Sequence, residues 1–227
     1  MKKVLIPLAF ISLLTVSCKK DDNTVTPVGE AYVSLTPNNK WIYDNIQDPG
    51  TAGSVTTLDT ITALGTSITY NGRNYRILLS NQGDSTFQNV SGSDYYELQE
   101  QDFGSGPVIV ENIYLKDNQS VGTNWSQTLN LSSGLPAPFP PTIPITITNT
   151  ITEKGVAKTV LGTSYTDVIT VKTDITSSSP LVTGLTTDIK SYYARRVGLI
   201  QGDYKIVFPT ASLEVHTQTL LRSATIQ

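Results

Sequence analysis

The stretch "TIPITITNTIT", residues 142–152, decides the fold class, because apolar and polar side chains alternate along it. In an extended strand, residues two apart point to the same face of the sheet. The isoleucines of the stretch therefore share one face: Ile143, Ile145, Ile147 and Ile151. The threonines share the other: Thr146, Thr148, Thr150 and Thr152. This pattern is typical of an antiparallel sheet with one packed face and one wet face.

The same alternation recurs along the chain and predicts further strands. Residues 164–175 carry it through Tyr165, Ile169, Val171 and Ile175, and residues 213–221 carry it through Leu213, Val215 and Leu221. Strands are also expected at 54–63, 94–101, 108–116, 156–161, 188–194 and 204–208. We find no amphipathic pattern of helical period over ten or more residues.

Turn signals separate these strands. Asn71-Gly72, within residues 68–80, predicts a two-residue hairpin, because this pair tolerates the positive φ angles of a type I′ turn. Gly155 predicts a second hairpin within residues 152–158. The proline-rich segment at 132–144 lacks too many backbone donors for a central strand and predicts an extended crossover or a loop.

Composition agrees with an all-β fold. The chain has 32 threonines and 21 serines, and threonine suits a pleated, half-wet surface. Many short antiparallel strands must close or stack to protect their edges. We therefore expect a single antiparallel domain over residues 30–227 with a curved, barrel-like sheet; a two-layer β-sandwich is the alternative.

The N-terminus has the features of a secretory signal peptide. Lys2 and Lys3 precede an apolar run at residues 4–16, which is shorter than the roughly 20 residues that a membrane-spanning helix needs. We assign residues 1–17 to the signal peptide and residues 18–29 to a solvated linker.

The single cysteine of the chain lies at the junction between these two segments. "LTVSC", residues 14–18, resembles a bacterial lipobox, which implies that Cys18 carries lipid. The residues that follow resemble the export signal of surface lipoproteins in Bacteroidota: Lys19, Lys20, Asp21 and Asp22. The resemblance implies a lipid-anchored protein of the outer membrane, exposed at the cell surface, with the membrane as a partner.

Four landmarks resemble a family of Bacteroidota lipid-anchored envelope proteins of unknown function. They are Trp41 with Tyr43 in "KWIY", Gly122 with Trp125, the segment 165–171, and "SYYARRVGLIQ" at 191–201. The resemblance implies a β-rich fold and an envelope location. It carries no catalytic residue to this chain.

Several functions are disfavoured by what the sequence contains. The net charge is −3 and no basic run occurs, whereas a nucleic-acid partner requires a clustered positive surface. The only histidine, His216, shares a strand face with Glu214 and Gln218, as expected of a polar surface row. With no Gly-x-Ser-x-Gly motif and no cluster of histidine and cysteine, we expect no enzyme, no cofactor and no metal.

Acidic residues supply the remaining routes to chemistry. Glu97, Glu100 and Glu111 lie on expected neighbouring strands and could form a weak carboxylate-based hydrolase. Asp44, Asn45 and Asp48 offer oxygen ligands for calcium, but their spacing does not match a calcium-binding loop.

Paired tyrosines supply a route to ligand binding. Neighbours on a strand face opposite ways, so one ring of each pair is expected to be exposed for stacking on a ligand: Tyr95 with Tyr96, and Tyr192 with Tyr193. Trp41 and Trp125 are expected in the core. The sequence therefore favours a non-catalytic surface binding or accessory module for a glycan or an envelope protein. A carrier of an apolar ligand and a weak hydrolase are the alternatives.

Overall fold

The computed structural model describes residues 31–102, 107–132, 140–209 and 212–227, with the backbone alone at 100–102, 107 and 108. The predicted signal peptide, Cys18, the export signal and the linker lie outside the described residues, as does most of the proline-rich segment.

Twelve strands account for nearly all of the regular structure, and a 3₁₀ turn at Pro180–Val182 lies between the ninth and tenth. The strands are β1 (Lys40–Gln47), β2 (Val55–Tyr70), β3 (Arg73–Ser80), β4 (Ser85–Ser91), β5 (Asp94–Asp102), β6 (Pro107–Lys116), β7 (Asn124–Ser132), β8 (Thr142–Val160), β9 (Thr163–Ser177), β10 (Thr186–Ala194), β11 (Gly198–Phe208) and β12 (Leu213–Thr225).

All twelve strands belong to one antiparallel sheet in the order β6-β5-β4-β3-β2-β1-β12-β11-β10-β9-β8-β7. The sheet curls into a nearly closed barrel with one unsealed seam. The all-β, barrel-like prediction is thus confirmed, and the sandwich alternative is not adopted. Because β6 and β7 are the two edge strands, the seam lies between them.

The hairpin predicted at Asn71-Gly72 is confirmed. These residues have φ angles of 46° and 74°, and they connect the paired residues Tyr70 and Arg73. Both central residues therefore adopt the left-handed region that a type I′ turn requires.

The hairpin predicted at residues 152–158 is wrong. β8 continues through Gly155 to Val160, so residues 156–160 extend β8 and do not form a separate strand. Gly155, with φ 72°, lies in a stretch where the register with β9 shifts three times between residues 151 and 158. The left-handed glycine therefore belongs to an irregular, bulged part of the strand pair, and the turn comes later, at Leu161-Gly162.

The N-terminal segment 31–39 closes one end of the barrel, which we call the closed end; β1 begins there. Tyr32 is fully buried in a cluster with residues of β5, β6, β8, β9 and β10. Its backbone N–H donates to the Tyr95 hydroxyl at 2.8 Å, and its own hydroxyl donates to Asp167 at 2.7 Å. A twelve-stranded barrel encloses more space than its own side chains fill, so this segment supplies part of the core.

The barrel widens and opens towards the other end, which we call the open end; β1 ends there. The inward-facing residues of β12 become more exposed towards the open end: Leu221 is 1% exposed, whereas Val215 is 37% and Leu213 is 47% exposed. The predicted isoleucine row of β8 behaves similarly, because Ile151 is buried near the closed end and Ile143 and Ile145 are only partly buried. Solvent therefore reaches the interior from the open end.

A second cluster lies on the outer face of β3 to β6. Tyr75, Tyr96 and Leu98 are buried there against Tyr70, Phe87 and Ile113. Leu78 and Glu97 face the interior. Tyr75 lies three residues from Leu78 and Leu98 lies next to Glu97, so both point to the opposite, outer face of the sheet. The outer face of this half of the sheet is therefore partly apolar.

Candidate functional site

The interior of the barrel contains a cavity of about 380 Å³, which we call the lumen site. Strands β1 to β6 and β10 to β12 contribute its walls, and Val33 of the N-terminal segment forms its floor. A further hollow at the open end shares Asn45, Tyr204 and Thr219 with it. The lumen site is therefore continuous with the open end.

Aromatic side chains form much of the wall. Trp41 and Tyr43 come from β1, and Tyr114, Tyr193 and Tyr204 come from β6, β10 and β11. The rings of Tyr114 and Tyr193 lie 5.5 Å apart at a tilt of 37°. The strand pairing explains why Tyr114 faces the lumen. Tyr95 pairs with Leu115 and Tyr96 pairs with Ile113, so Tyr114 is the extra residue of a β-bulge in β6.

Two of these rings are held by hydrogen bonds to the barrel wall. The Tyr43 hydroxyl donates to the Leu199 carbonyl at 3.0 Å, and the Tyr114 hydroxyl donates to the side-chain oxygen of Gln88 at 3.3 Å. Gly202 provides the space for Tyr204, because a Cβ atom at Gly202 would overlap the Tyr204 ring. The lumen site is thus a preformed arrangement of rings on rigid strands.

Two carboxylates point into the same space. Glu97 on β5 accepts a hydrogen bond from the Gln99 amide at 2.7 Å, and Asp59 on β2 accepts one from the Ser80 hydroxyl at 2.5 Å. No lysine, arginine or histidine is among the described residues that line the lumen site. Within the described ranges, neither carboxylate forms an ion pair.

The pKa of Glu97 is raised above its ordinary value. Burial inside the barrel is the main cause, and the hydrogen bond from Gln99 opposes it. The side chain is nevertheless partly accessible, because water and small molecules reach it through the lumen. An accessible carboxylate with a raised pKa and no positive partner is a common feature of functional sites.

The tyrosines of the lumen site are hydrogen-bonding groups that stay neutral. Burial raises the pKa of Tyr114, Tyr193 and Tyr204, and the negative charge of Glu97 raises each of them further. All three tyrosines line the same cavity as Glu97. Because the Tyr114 hydroxyl already donates to Gln88, the neutral phenols of Tyr193 and Tyr204 are the ones that can donate hydrogen bonds to a bound molecule.

The carboxylates that the sequence grouped do not form one site. Glu97 pairs with Asn112 across the strands, so Glu111 lies on the opposite, outer face. There Glu111 accepts hydrogen bonds from Arg73, at 3.1 Å, and from Tyr75. The side chain of Glu100 lies outside the described residues. The proposed pairing of Glu97 with Glu111 for hydrolysis is therefore wrong.

The tyrosine pairs also differ from expectation. Tyr95 is fully buried in the closed end and donates to Asp117, and Tyr96 is buried on the outer face below the guanidinium of Arg73, so neither ring is exposed. In the second pair, Tyr193 is buried and lines the lumen site. Tyr192 is half-buried on the outer face, with the Lys158 ammonium 3.6 Å from its ring centre.

Other singled-out residues lie elsewhere. Asp44 faces outward, where Arg222 binds both of its oxygens at 2.8 Å, whereas Asn45 faces the lumen and accepts from Thr219. The two cannot share one calcium ion. His216 lies on the outer face opposite Lys205, and Lys205 forms an ion pair with Glu214 at 3.3 Å.

The tryptophans divide between two environments. Trp41 is 4% exposed, which confirms its expected core position, while one of its faces borders the lumen. Trp125 is only partly buried, and its N–H donates to the Ile113 carbonyl across the seam at 2.7 Å.

Asp59, Tyr114 and Tyr204 are lumen residues that sequence reasoning did not identify. Strand parity was the available signal for two of them. Asp59 lies two residues before Ile61, and Tyr204 lies two residues after Gly202, both on inward rows. No sequence signal marked Tyr114, because its orientation depends on the bulge in β6.

No family model, no curated protein and no solved structure matches this chain. Among the described residues there is no helix long and apolar enough to cross a membrane. Function is therefore inferred from the geometry of the lumen site.

Proposed function

We propose that this chain is a lipid-anchored envelope protein whose barrel binds a small polar ligand without transforming it. The observation that carries the proposal is the preformed cavity of about 380 Å³, in whose wall phenols, amides and carboxylates stand among the apolar side chains of Ile61, Leu78 and Leu199. Its volume falls in the range of known ligand sites, roughly 300–1,000 Å³.

The chemistry of the wall favours a polar ligand over an apolar one. Asn45, Gln88 and Gln99 add amides to the tyrosines and carboxylates, whereas the isoleucine row of β8 does not line the cavity. An apolar ligand would displace water from these groups and offer no hydrogen bond in return, which costs about 1–3 kcal/mol for each polar atom left unsatisfied. A single unit of a glycan and other small molecules with hydroxyl or amine groups suit the site.

A carboxylate-based hydrolase that uses Glu97 is the second candidate, because this carboxylate lines the cavity and its pKa is raised. Binding is preferred because the lining holds no histidine or serine arranged as base and nucleophile. Release of reducing ends from oligosaccharides by the purified protein would reverse this preference.

The lipid anchor rests on the N-terminal sequence. Cys18 follows a signal peptide, and Lys19 to Asp22 resemble a surface export signal. We expect Cys18→Ala to prevent incorporation of a labelled fatty acid, and alanines at 19–22 to leave the lipid in place while reducing surface accessibility to protease. A labelled Cys18→Ala protein would refute the anchor.

Ligand binding is tested with the full chain in detergent and a panel of sugars, amino acids, amines and fatty acids, by ligand-observed NMR. Thr86 lines the lumen site, so Thr86→Trp should fill it and reduce binding at least tenfold. Thr176 is exposed, and Thr176→Trp is the matched control that should bind normally. Binding that survives Thr86→Trp, or a panel with no binder, would contradict the proposal.

A further inference from the structure

The carboxylates that line the lumen site form no ion pair with the described residues. Glu97 and Asp59 accept hydrogen bonds from neutral donors only. Outside the lumen, Asp117, Glu153 and Asp203 are bound in the same way, whereas seven other carboxylates form ion pairs: Asp44, Asp94, Glu111, Asp167, Asp174, Asp188 and Glu214. What distinguishes Glu97 is its place inside a cavity with no lysine, arginine or histidine among the described residues that line it.

Outside the lumen, three tyrosines are covered by the protein's own cations: Arg73 lies 4.1 Å from the Tyr96 ring centre, Lys158 lies 3.6 Å from Tyr192, and Arg195 lies 4.5 Å from Tyr32. Within the described ranges, no cation covers the lumen rings of Tyr43, Tyr114, Tyr193 or Tyr204. The faces of such rings attract cations by about 0.5–2 kcal/mol each.

Because Glu97 lies inside the barrel, the absence of a positive partner destabilises its charged form. A carboxylate removed from bulk water is disfavoured unless a positive group compensates it. A bound cation would compensate Glu97 and would lie in the cavity that the tyrosine rings line. Gln88, Gln99 and Asn45 line the same cavity and place amide groups beside such a ligand.

We propose that the ligand of the lumen site is a small organic ammonium ion, held by the carboxylate of Glu97 and by the tyrosine rings that line the same cavity. The inference rests on the proposed function, since it names the chemical class of the ligand that the lumen binds. The cavity of about 380 Å³ limits this ligand to a small molecule.

The test compares a cation with a neutral molecule of the same shape. Choline and 3,3-dimethylbutan-1-ol differ in little but the positive charge, and each is titrated calorimetrically into the full chain in detergent at matched ionic strength. Putrescine serves as a primary-amine probe. We expect choline or putrescine to bind and the neutral alcohol to bind at least tenfold more weakly.

Two substitutions assign the effect to the lumen. Glu97→Gln removes the charge with almost no change of shape, and we expect it to weaken ammonium binding at least tenfold; Asp59→Asn removes the more distant lumen charge and should have a smaller effect. Glu214→Gln makes the same change at an exposed position and should leave binding unaffected. Circular dichroism of each variant establishes that it is folded, and Trp41 fluorescence reports occupancy independently.

The possible failures are distinguishable. If the neutral alcohol binds as tightly as choline, or if Glu97→Gln binds ammonium normally, the inference is overturned. If neither cation binds but a neutral sugar binds in a way that Thr86→Trp abolishes, this inference fails and the proposed function survives. If no member of the panel binds, both fail.

Discussion

Glu97 is a residue whose proposed role in binding conflicts with the stability of the fold. Its pKa is raised in the folded protein, so between its ordinary and raised pKa values the folded state holds a proton that the unfolded state has lost. Stability therefore falls as the pH rises through this window, and the whole penalty is present above it. A positively charged ligand would remove part of that penalty.

We expect Glu97→Gln to raise the free energy of unfolding at pH 7 by about 1 kcal/mol, the usual order for relief of a strained functional site. Below pH 4 the difference should vanish, because Glu97 is then protonated in both states. Urea unfolding at the two pH values measures both quantities. A variant that is less stable than the parent at pH 7 would contradict the expectation.

The chemical types of the residues predicted fewer members of the lumen site than the alternation of side chains along each strand did. Glu97 was recognised as a candidate from the sequence, but its supposed partner Glu111 faces the other way. The error has a physical source, since Tyr114 bulges out of β6 and residues on either side of it follow different rows. Tyr95 and Tyr96 were expected to differ in exposure, yet Arg73 and the outer cluster cover the second ring.

The N-terminal segment is an element whose docking depends on one carboxylate. Asp167 accepts hydrogen bonds from Arg195 and Tyr32, and the Arg195 guanidinium also lies over the Tyr32 ring. Partial burial acts to raise the pKa of Asp167, but these two hydrogen bonds and the positive charge of Arg195 outweigh it and lower the pKa. This contribution to stability is present above the ordinary pKa of an aspartate and is lost as the pH falls below it.

We expect Asp167→Asn to lower the free energy of unfolding at pH 7 by about 1 kcal/mol, a modest value because the side chain is partly exposed. Asparagine tolerates the positive φ of 53° at this position, so the backbone should not be disturbed. Thermal melts from pH 7 to pH 2 should show a shallower acid slope for the variant. An unchanged slope would show that the acid sensitivity resides elsewhere.

Whether a strand could be predicted from the sequence depended on how its two faces are packed. The alternation at 142–152 predicted β8 because only one of its faces is packed there. β1 was not predicted, since Trp41 and Tyr43 are buried on the inner face while Arg222 covers Asp44 on the outer face, which obscures the alternation. In β4, Phe87 and Val90 fall on opposite faces, so no row of apolar residues is visible.

At the scale of the whole molecule, the seam is where the barrel depends on side chains instead of a strand ladder. The Ile113 carbonyl of β6 accepts from the Trp125 N–H at 2.7 Å and from the Asn149 amide at 3.0 Å. Lys154 donates to the carbonyls of Asp117 and Gln119, in the connection between β6 and β7. These contacts close the seam towards the closed end of the barrel.

We expect Trp125→Phe to lower the free energy of unfolding by about 1–2 kcal/mol, because it removes one of these hydrogen bonds and part of the packing. Hydrogen exchange of the backbone amides in β6 and β7 should accelerate more than exchange in β1 and β12. Thr128→Val removes an exposed hydroxyl contact on the same strand and should change neither quantity. Equal acceleration throughout the sheet would contradict a local role for Trp125.

The pairing of β1 with β12 at the middle of the sheet has a consequence for how the protein is made. Every other strand pairs only with its neighbour in sequence, so those hairpins can form early and locally as the chain emerges. The contact that joins the two halves must wait for β12, the last of the twelve strands to leave the ribosome. Until then the protein consists of two open meanders with unpaired edges and no interior, and a chaperone would have to keep those edges apart.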